Sequence, residues 1–150
     1  MTFVIRNAEV ADLPALLALE QQAFTGDRFT ARQFRHLLLR ARSDFRVATR
    51  DDRLLGYAVS LYRRGATRAR LYGVAVAEAA RGQGVASALI LALAAAARDR
   101  GYLRMGLEVR TDNAGAQQLY RKLGFAAENC IDLYYEDGAS AQRMVLRLDR

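Results

Sequence analysis

A chain of 150 residues suffices for one domain around a single core and is short for two. Its 52% apolar and 26% charged content is that of an ordinary globular chain, with no apolar run of membrane-spanning length. The net charge of +7 rests almost wholly on arginine, scattered without a block of five or six, which argues against a nucleic-acid-binding segment.

The first stretch, "FVIRNAEV" (3–10), alternates apolar and polar residues and predicts a strand. "ADLPALLALEQQAF" (11–24) predicts a helix, with Asp12 as its cap and Pro14 in the first turn, where a missing N–H costs nothing. "TGDR" (25–28) reads as a loop. "TARQFRHLLLRAR" (30–42) opens on Thr30 with Gln33 three residues later, a capping box, and presents Phe34, Leu37, Leu38 and Ala41 on one face. His36 falls at the surface and is given no role. "FRVATR" (45–50) and "LLGYAVSLYRR" (54–64) flank Asp51-Asp52 and predict a hairpin.

After a turn at 65–69, "LYGVAVA" (71–77) predicts a strand that passes through Arg81-Gly82-Gln83-Gly84 into a helix over 85–102, stopped by Gly101. "LRMGLEVR" (103–110) predicts a strand, "DNAGAQQLYRKLG" (112–124) a helix with Asn113 as cap, and 125–135 and 141–148 the last two strands. The order β-α-α-β-β-β-α-β-α-β-β predicts one α+β domain over residues 1–150. Its sheet is mixed and mostly antiparallel, turning parallel where the long helix makes a crossover. A single cysteine, Cys130, leaves no disulfide framework, suits a reducing cytosol and reads as a small buried hydrophobe. No N-terminal stretch has signal-peptide character, so a cytoplasmic location is expected.

Glycines two apart between a strand and a helix make a turn that brings backbone close to a ligand, and the helix start offers unsatisfied N–H groups to an anion. Three phosphate-binding patterns compete there. The nucleoside-triphosphate loop requires Lys-Ser/Thr after the glycines, and Val85 follows Gly84. The dinucleotide fingerprint has Ser87 where it wants Gly or Ala, and it requires further βαβ units. The third, R/Q-x-x-G-x-G/A, fits as Arg81, Gly84 and Ala86.

Downstream, "LEVRTDNAGAQQLYRKLGF" (107–125) carries Glu108 on a strand, Asn113 five residues later and Tyr120 twelve after the glutamate. Together with Tyr134-Tyr135 and Asp137-Gly138, this run resembles the Gcn5-related N-acetyltransferase (GNAT) superfamily, and most closely its RimI-type branch, which acetylates ribosomal-protein alanine. The resemblance covers the whole chain. It implies a six- to seven-stranded sheet flanked by four helices and acetyl-CoA as co-substrate, with no metal. The N–H groups from Gly82 through Gln83, Gly84, Val85 and Ala86 to Ser87 then suit the pyrophosphate. Arg81 is either an added charge or a solvated loop residue. The resemblance further implies backbone pairing of Val74, Ala75 and Val76 with the pantetheine arm, and Asn113 both capping its helix and touching that arm.

Glu108 is the implied base, the alternative being a sheet-surface glutamate paired with Arg104 or Arg110. Tyr120 is the implied acid for the leaving thiolate, the alternative being a packing aromatic. Tyr134 and Tyr135 either line the acceptor slot or are strand aromatics. The chain departs from the pattern at Glu78, where proline is common, and in "FTGDRF" (24–29), which lacks the branch's proline and tryptophan. The expected acceptor is a peptide or protein N-terminal α-amine. The alternatives are a small amine (an amino acid, polyamine or antibiotic) and a non-catalytic acyl-CoA-binding module. A monomer or homodimer is compatible with the sequence.

Overall fold

Seven strands form one sheet in the order β1-β2-β3-β4-β5-β7-β6 in the computed structural model, which describes residues 2–24 and 28–148. Thr25, Gly26 and Asp27 of the 25–28 loop lie outside the described residues. The elements are β1 (Val4–Asn7), α1 (Leu13–Ala23), α2 (Ala31–Leu39), β2 (Ser43–Arg50), β3 (Arg53–Leu61), β4 (Arg68–Val76), α3 (Val85–Asp99), β5 (Arg104–Arg110), α4 (Ala114–Lys122), β6 (Ala126–Ile131) and β7 (Ala141–Arg147). This is the predicted α+β order, with seven strands and four α-helices among the described residues.

Local chemistry accounts for most boundaries. Asp51 and Asp52 both take positive φ, 51° and 63°, so the β2–β3 hairpin closes on two left-handed residues, the turn whose twist matches its strands. Thr30 Oγ1 accepts from the Gln33 N–H at 3.1 Å and the Gln33 side chain accepts from the Thr30 N–H at 2.8 Å, the predicted capping box of α2. The expected cap of α1 differs. Asp12 has helical backbone angles and makes no cap bond to α1. Its carboxylate instead accepts from the Glu9 N–H at 2.7 Å and from Arg6 at 2.8 and 2.9 Å, closing the 3-10 turn Val10–Asp12 that shortens the predicted first strand.

Two apolar layers hold the sheet. On one face α3 buries Val85, Leu89, Ile90, Leu93, Ala94 and Ala97 against Leu71, Met105, Leu107 and Met144. Each fully buried Leu or Ile there contributes roughly 1.5–3 kcal/mol. On the other face α1 and α2 bury Leu13, Leu16, Leu19, Phe34 and Leu37 against Phe45, Val47, Tyr57, Val59 and Ala75. Strand β6 lies at the sheet edge, and there Cys130 is exposed rather than buried, its Sγ 3.3 Å from Gln142 Oε1. No helix among the described residues is long and apolar enough to cross a membrane.

Two irregularities shape the middle of the sheet. Among the described residues the only parallel pairing is β4 with β5, and it runs from Arg68↔Arg104 to Arg70↔Gly106, although β4 continues to Val76 and β5 to Arg110. Beyond that point the strands part. In addition, the β3–β4 register shifts between Val59 and Ser60, so β4 carries one extra residue at Tyr72. The bulge changes which face is buried: Ala69 and Leu71 pack toward α3, whereas Ala75 packs toward α1 and α2.

Candidate active site

The parting of β4 and β5 opens a cleft of about 1080 Å³ walled by Val74, Val76, Arg81, Glu108, Asn113 and Tyr120, among others. The Ala77 N–H bonds the Leu55 carbonyl at 2.7 Å, which extends the β3–β4 ladder past Val76. By strand alternation the backbone groups of Ala75 turn toward β3, and those of Val74 and Val76 turn toward the gap. Among the three predicted positions, two therefore present open backbone to the cleft, and Ala75 contributes its buried side chain to the opposite core.

Gly82 and Gly84 take φ of +78° and +81°, and Gly84 is the residue from which α3 starts. A Cβ built on either meets nothing within 4 Å, so glycine is required by the backbone angle, and the space beside it is open. The first bond of α3 runs from the Ala88 N–H to the Gly84 carbonyl, which leaves the N–H groups of Val85, Ala86 and Ser87 without an intrahelical acceptor. Gln83 braces this loop: its side chain donates to the Ala79 carbonyl at 3.2 Å and accepts from Arg50 at 2.8 Å. Arg81 is exposed and faces the cleft.

Across the cleft, Glu108 sits on β5 with its side chain only 11% exposed. The partners expected for a structural role, Arg104 and Arg110, are not its partners. Strand register places Arg143 of β7 opposite Glu108, with Nε 3.5 Å from Oε2. Arg70 of β4 approaches Oε1 to 2.6 Å and also donates to the Tyr134 hydroxyl at 2.9 Å, which in turn donates to Oε1 at 3.4 Å. Arg110 is engaged elsewhere, on Asp112 and Asp137 and over the ring of Tyr135 at 5.2 Å, so it ties the end of β5 to the 134–138 turn. Tyr134 and Tyr135 lie beyond the end of β6 at Ile131, hence in a turn and not in a strand as one reading had it.

Tyr120 is carried by α4, whose start Asn113 caps by accepting from the Ala116 N–H at 3.1 Å. The predicted cap is thus present, and Asn113 also lines the cleft. Gln117 holds the preceding turn by donating to the carbonyls of Arg110 and Thr111, both at 3.1 Å. The Tyr120 ring meets Phe125 edge-on at 5.7 Å, and burial, with a small contribution from Tyr135, pushes the phenol up to about 12. At neutral pH the hydroxyl keeps its proton.

The sequence reading missed a buried pair in the same cleft wall. Glu20 is 2% exposed, accepts from the Tyr57 hydroxyl at 2.6 Å and from the Phe29 N–H at 2.9 Å, and so fastens the chain after α1 to the sheet. Burial raises its carboxyl above the ordinary glutamate value, against the pull of those two hydrogen bonds. The signal was available: Glu20 stands four residues after Leu16 and seven after Leu13, on the apolar stripe of α1. Phe29 also stacks on Tyr72, with centroids 5.4 Å apart, and Arg70 lies over the other ring of that pair, Tyr72, at 5.1 Å. A second groove, of about 780 Å³, meets the cleft at Tyr72 and Glu108 and carries Tyr134 in its wall.

The arrangement suits acyl transfer. A carboxylate and a protonated phenol face one cleft, open strand backbone lines it, and of the glycine loop Arg81 reaches it, whereas residues 82–87 do not line it. Residues 13–125 match the sequence model of the acetyltransferase (GNAT) family. No curated protein sequence matches the chain. Among solved structures it is similar to the ribosomal-protein-S18-alanine N-acetyltransferase from Escherichia coli, at 28% identity over 99% of this chain and 96% of that one, with a TM-score of 0.87. Ard1 from Thermoplasma volcanium is 29% identical over the full length of both chains, TM-score 0.89. Nourseothricin acetyltransferase is 28% identical over 99% of this chain and all of that one, TM-score 0.82. With the matched residues spanning both the glycine loop and the run from Glu108 to Phe125, the chain belongs to the acetyltransferase (GNAT) family and is an acetyl-CoA-using N-acetyltransferase.

Proposed function

We propose that the chain transfers acetyl from acetyl-CoA to the N-terminal α-amine of a peptide or protein, with Glu108 as base and Tyr120 as acid. The observation that carries this reading is the convergence of these two side chains on the gap where β4 and β5 part. The residues fit acetyl-CoA: the free N–H groups from Val85 to Ser87 and the open space over Gly82 and Gly84 suit its pyrophosphate, and the gap-facing backbone of Val74 and Val76 suits its pantetheine arm. Arg81 and Asn113 flank that path. When bound, acetyl-CoA supplies the activated acetyl thioester. Glu108 then takes a proton from the acceptor ammonium, directly or through water, and Tyr120 gives a proton to the departing sulfur. Backbone N–H groups of the parted strand are the donors available to a developing oxyanion.

An α-amine asks less of Glu108 than a lysine does. At pH 7.4 an amine of pKa about 7.8 is roughly 30% neutral, and one of pKa about 10.4 roughly 0.1%. The second groove, open beside Glu108 and Tyr134, offers room for residues that follow a reacting N-terminus. The similarity to nourseothricin acetyltransferase keeps a small-molecule amine as the second reading. A polyamine is disfavoured within it, because the charged lining of the groove is arginine apart from Glu108, and Asp137 is taken up by Arg110.

Mass spectrometry on two tetrapeptides tests the proposal, one with a free N-terminus and one N-blocked with an internal lysine. Acetylation of the free N-terminus alone is expected. Acetylation of the blocked peptide alone, or of small amines alone, refutes it.

A further inference from the structure

Five arginines line the second groove (Arg42, Arg63, Arg68, Arg70 and Arg143) against one carboxylate, Glu108. Some of this charge is already matched. Arg68 makes a two-pronged pair with Glu128 at 2.8 and 2.9 Å, and Arg70 and Arg143 share Glu108. Arg42 and Arg63 are exposed, and neither has a carboxylate partner among the described residues. Chain-wide arginine usage explains why these residues are not lysine. It does not explain why they gather along the groove that leads away from Glu108.

We propose that this groove selects acceptor peptides carrying carboxylate side chains just after the reacting N-terminal residue, held by Arg42 and Arg63. The inference rests on the reading of the chain as a peptide N-terminal acetyltransferase and names the class of peptide. An extended peptide advances about 3.3 Å per residue, so successive side chains of an acceptor anchored at Glu108 run along the groove wall. Guanidinium forks match carboxylates in two-pronged geometry, and a field of one sign inside a concave wall both attracts an acidic chain and repels a basic one. An acidic acceptor also offers Arg70 an alternative to Glu108, and the carboxylate is then less encumbered when it meets the ammonium.

The test compares acetylation kinetics on amidated heptapeptides beginning Ala-Asp-Glu, Ala-Gly-Ser and Ala-Lys-Arg. The acidic peptide should exceed the neutral one about tenfold in kcat/KM, mostly through KM, and the basic one should be poorest. Raising salt from about 0.05 to 0.5 M should compress the series, since exposed charges are screened. In Arg42→Glu and Arg63→Glu the acidic-to-neutral ratio should fall toward one or invert, with thermal unfolding of each variant confirming the fold. Equal rates on all three peptides, or preference for the basic one, overturn the inference and leave the N-terminal reading standing. If none of the three is acetylated and small amines are, that reading itself fails, and this inference falls with it. Free alanine and Ala-Gly form a further arm: if they match the acidic heptapeptide, the groove reads the terminal carboxylate of a small amino acid and the peptide claim is overturned.

Discussion

Gly84→Val probes the cofactor loop, and Gly65→Val is its control. Both glycines have φ near +80°, and a Cβ on either meets nothing within 4 Å, so the two substitutions impose backbone strain of the same kind with room for the added Cβ. A non-glycine residue in the left-handed region costs about 1–2 kcal/mol, with β-branched residues at the upper end. For a domain of this size that corresponds to a fall of roughly 3–8 °C in Tm, within a typical stability of about 5–15 kcal/mol, so both variants stay folded. They differ in what the added side chain enters. At Gly84 it projects beside the free N–H groups of Val85, Ala86 and Ser87; at Gly65 it lies in the turn before β4. Losing one charge-assisted hydrogen bond of about 1.5–3 kcal/mol weakens binding by tenfold to more than a hundredfold. Titration calorimetry with CoA should therefore show at least a tenfold rise in Kd for Gly84→Val and none for Gly65→Val, with similar Tm losses. Equal Kd values for the two variants would remove the loop from the binding site.

Tyr120→Phe keeps the ring against Phe125 and removes the proton, so kcat should fall by about 10²-fold while the KM for acetyl-CoA holds; an unchanged kcat would make Tyr120 a packing residue. Glu108→Gln should lower turnover on the N-terminal peptide by a similar factor, and full retained activity would assign Glu108 to structure. Glu20→Ala should cost about 3 kcal/mol in chemical denaturation, because it strands the Tyr57 hydroxyl and the Phe29 N–H and leaves a cavity, whereas Glu20→Gln should be far milder. Burial holds the Glu20 carboxyl up, so its contribution is full below the ordinary glutamate pKa and is lost as pH rises through the folded value; Glu20→Gln should remove that decline. Asp12 is held low, chiefly by its hydrogen bonds from Arg6; Asp44 is also held low, where burial opposes the charge but the bonds from Arg100 and Tyr62 outweigh it. Their contribution is present above the ordinary aspartate pKa and lost as pH falls through the depressed values, so an Asp12→Asn, Asp44→Asn double variant should lose stability less steeply below about pH 4.

What the sequence by itself determined is what short-range chemistry decides. The element order, the Asp51-Asp52 hairpin, the Thr30–Gln33 box, the Asn113 cap and the glycine loop before α3 all rest on partners within a few residues of one another. The same register of residues, from Arg81 to Phe125, was enough to carry the family. Asp12 shows where even local rules compete: two helix starts wanted one carboxylate, and the 3-10 turn paired with Arg6 took it. Cys130 needed knowledge of the sheet order, because a strand residue is buried only if a helix or another strand covers its face.

The site's electrostatics belonged to tertiary structure alone. Glu108 meets Arg70 across 38 residues of chain, and it does so because the β4–β5 ladder ends on the pair Arg70 and Gly106 and Glu108 follows two residues later on the same face. Insertion of β7 between β5 and β6 then brings Arg143 to the other oxygen. Neither the point at which two strands part nor the insertion of a later strand between earlier ones is encoded in local spacing. Both follow from how α3 and the α1–α2 pair cover opposite faces of a twisted sheet, which is a property of the whole packed core.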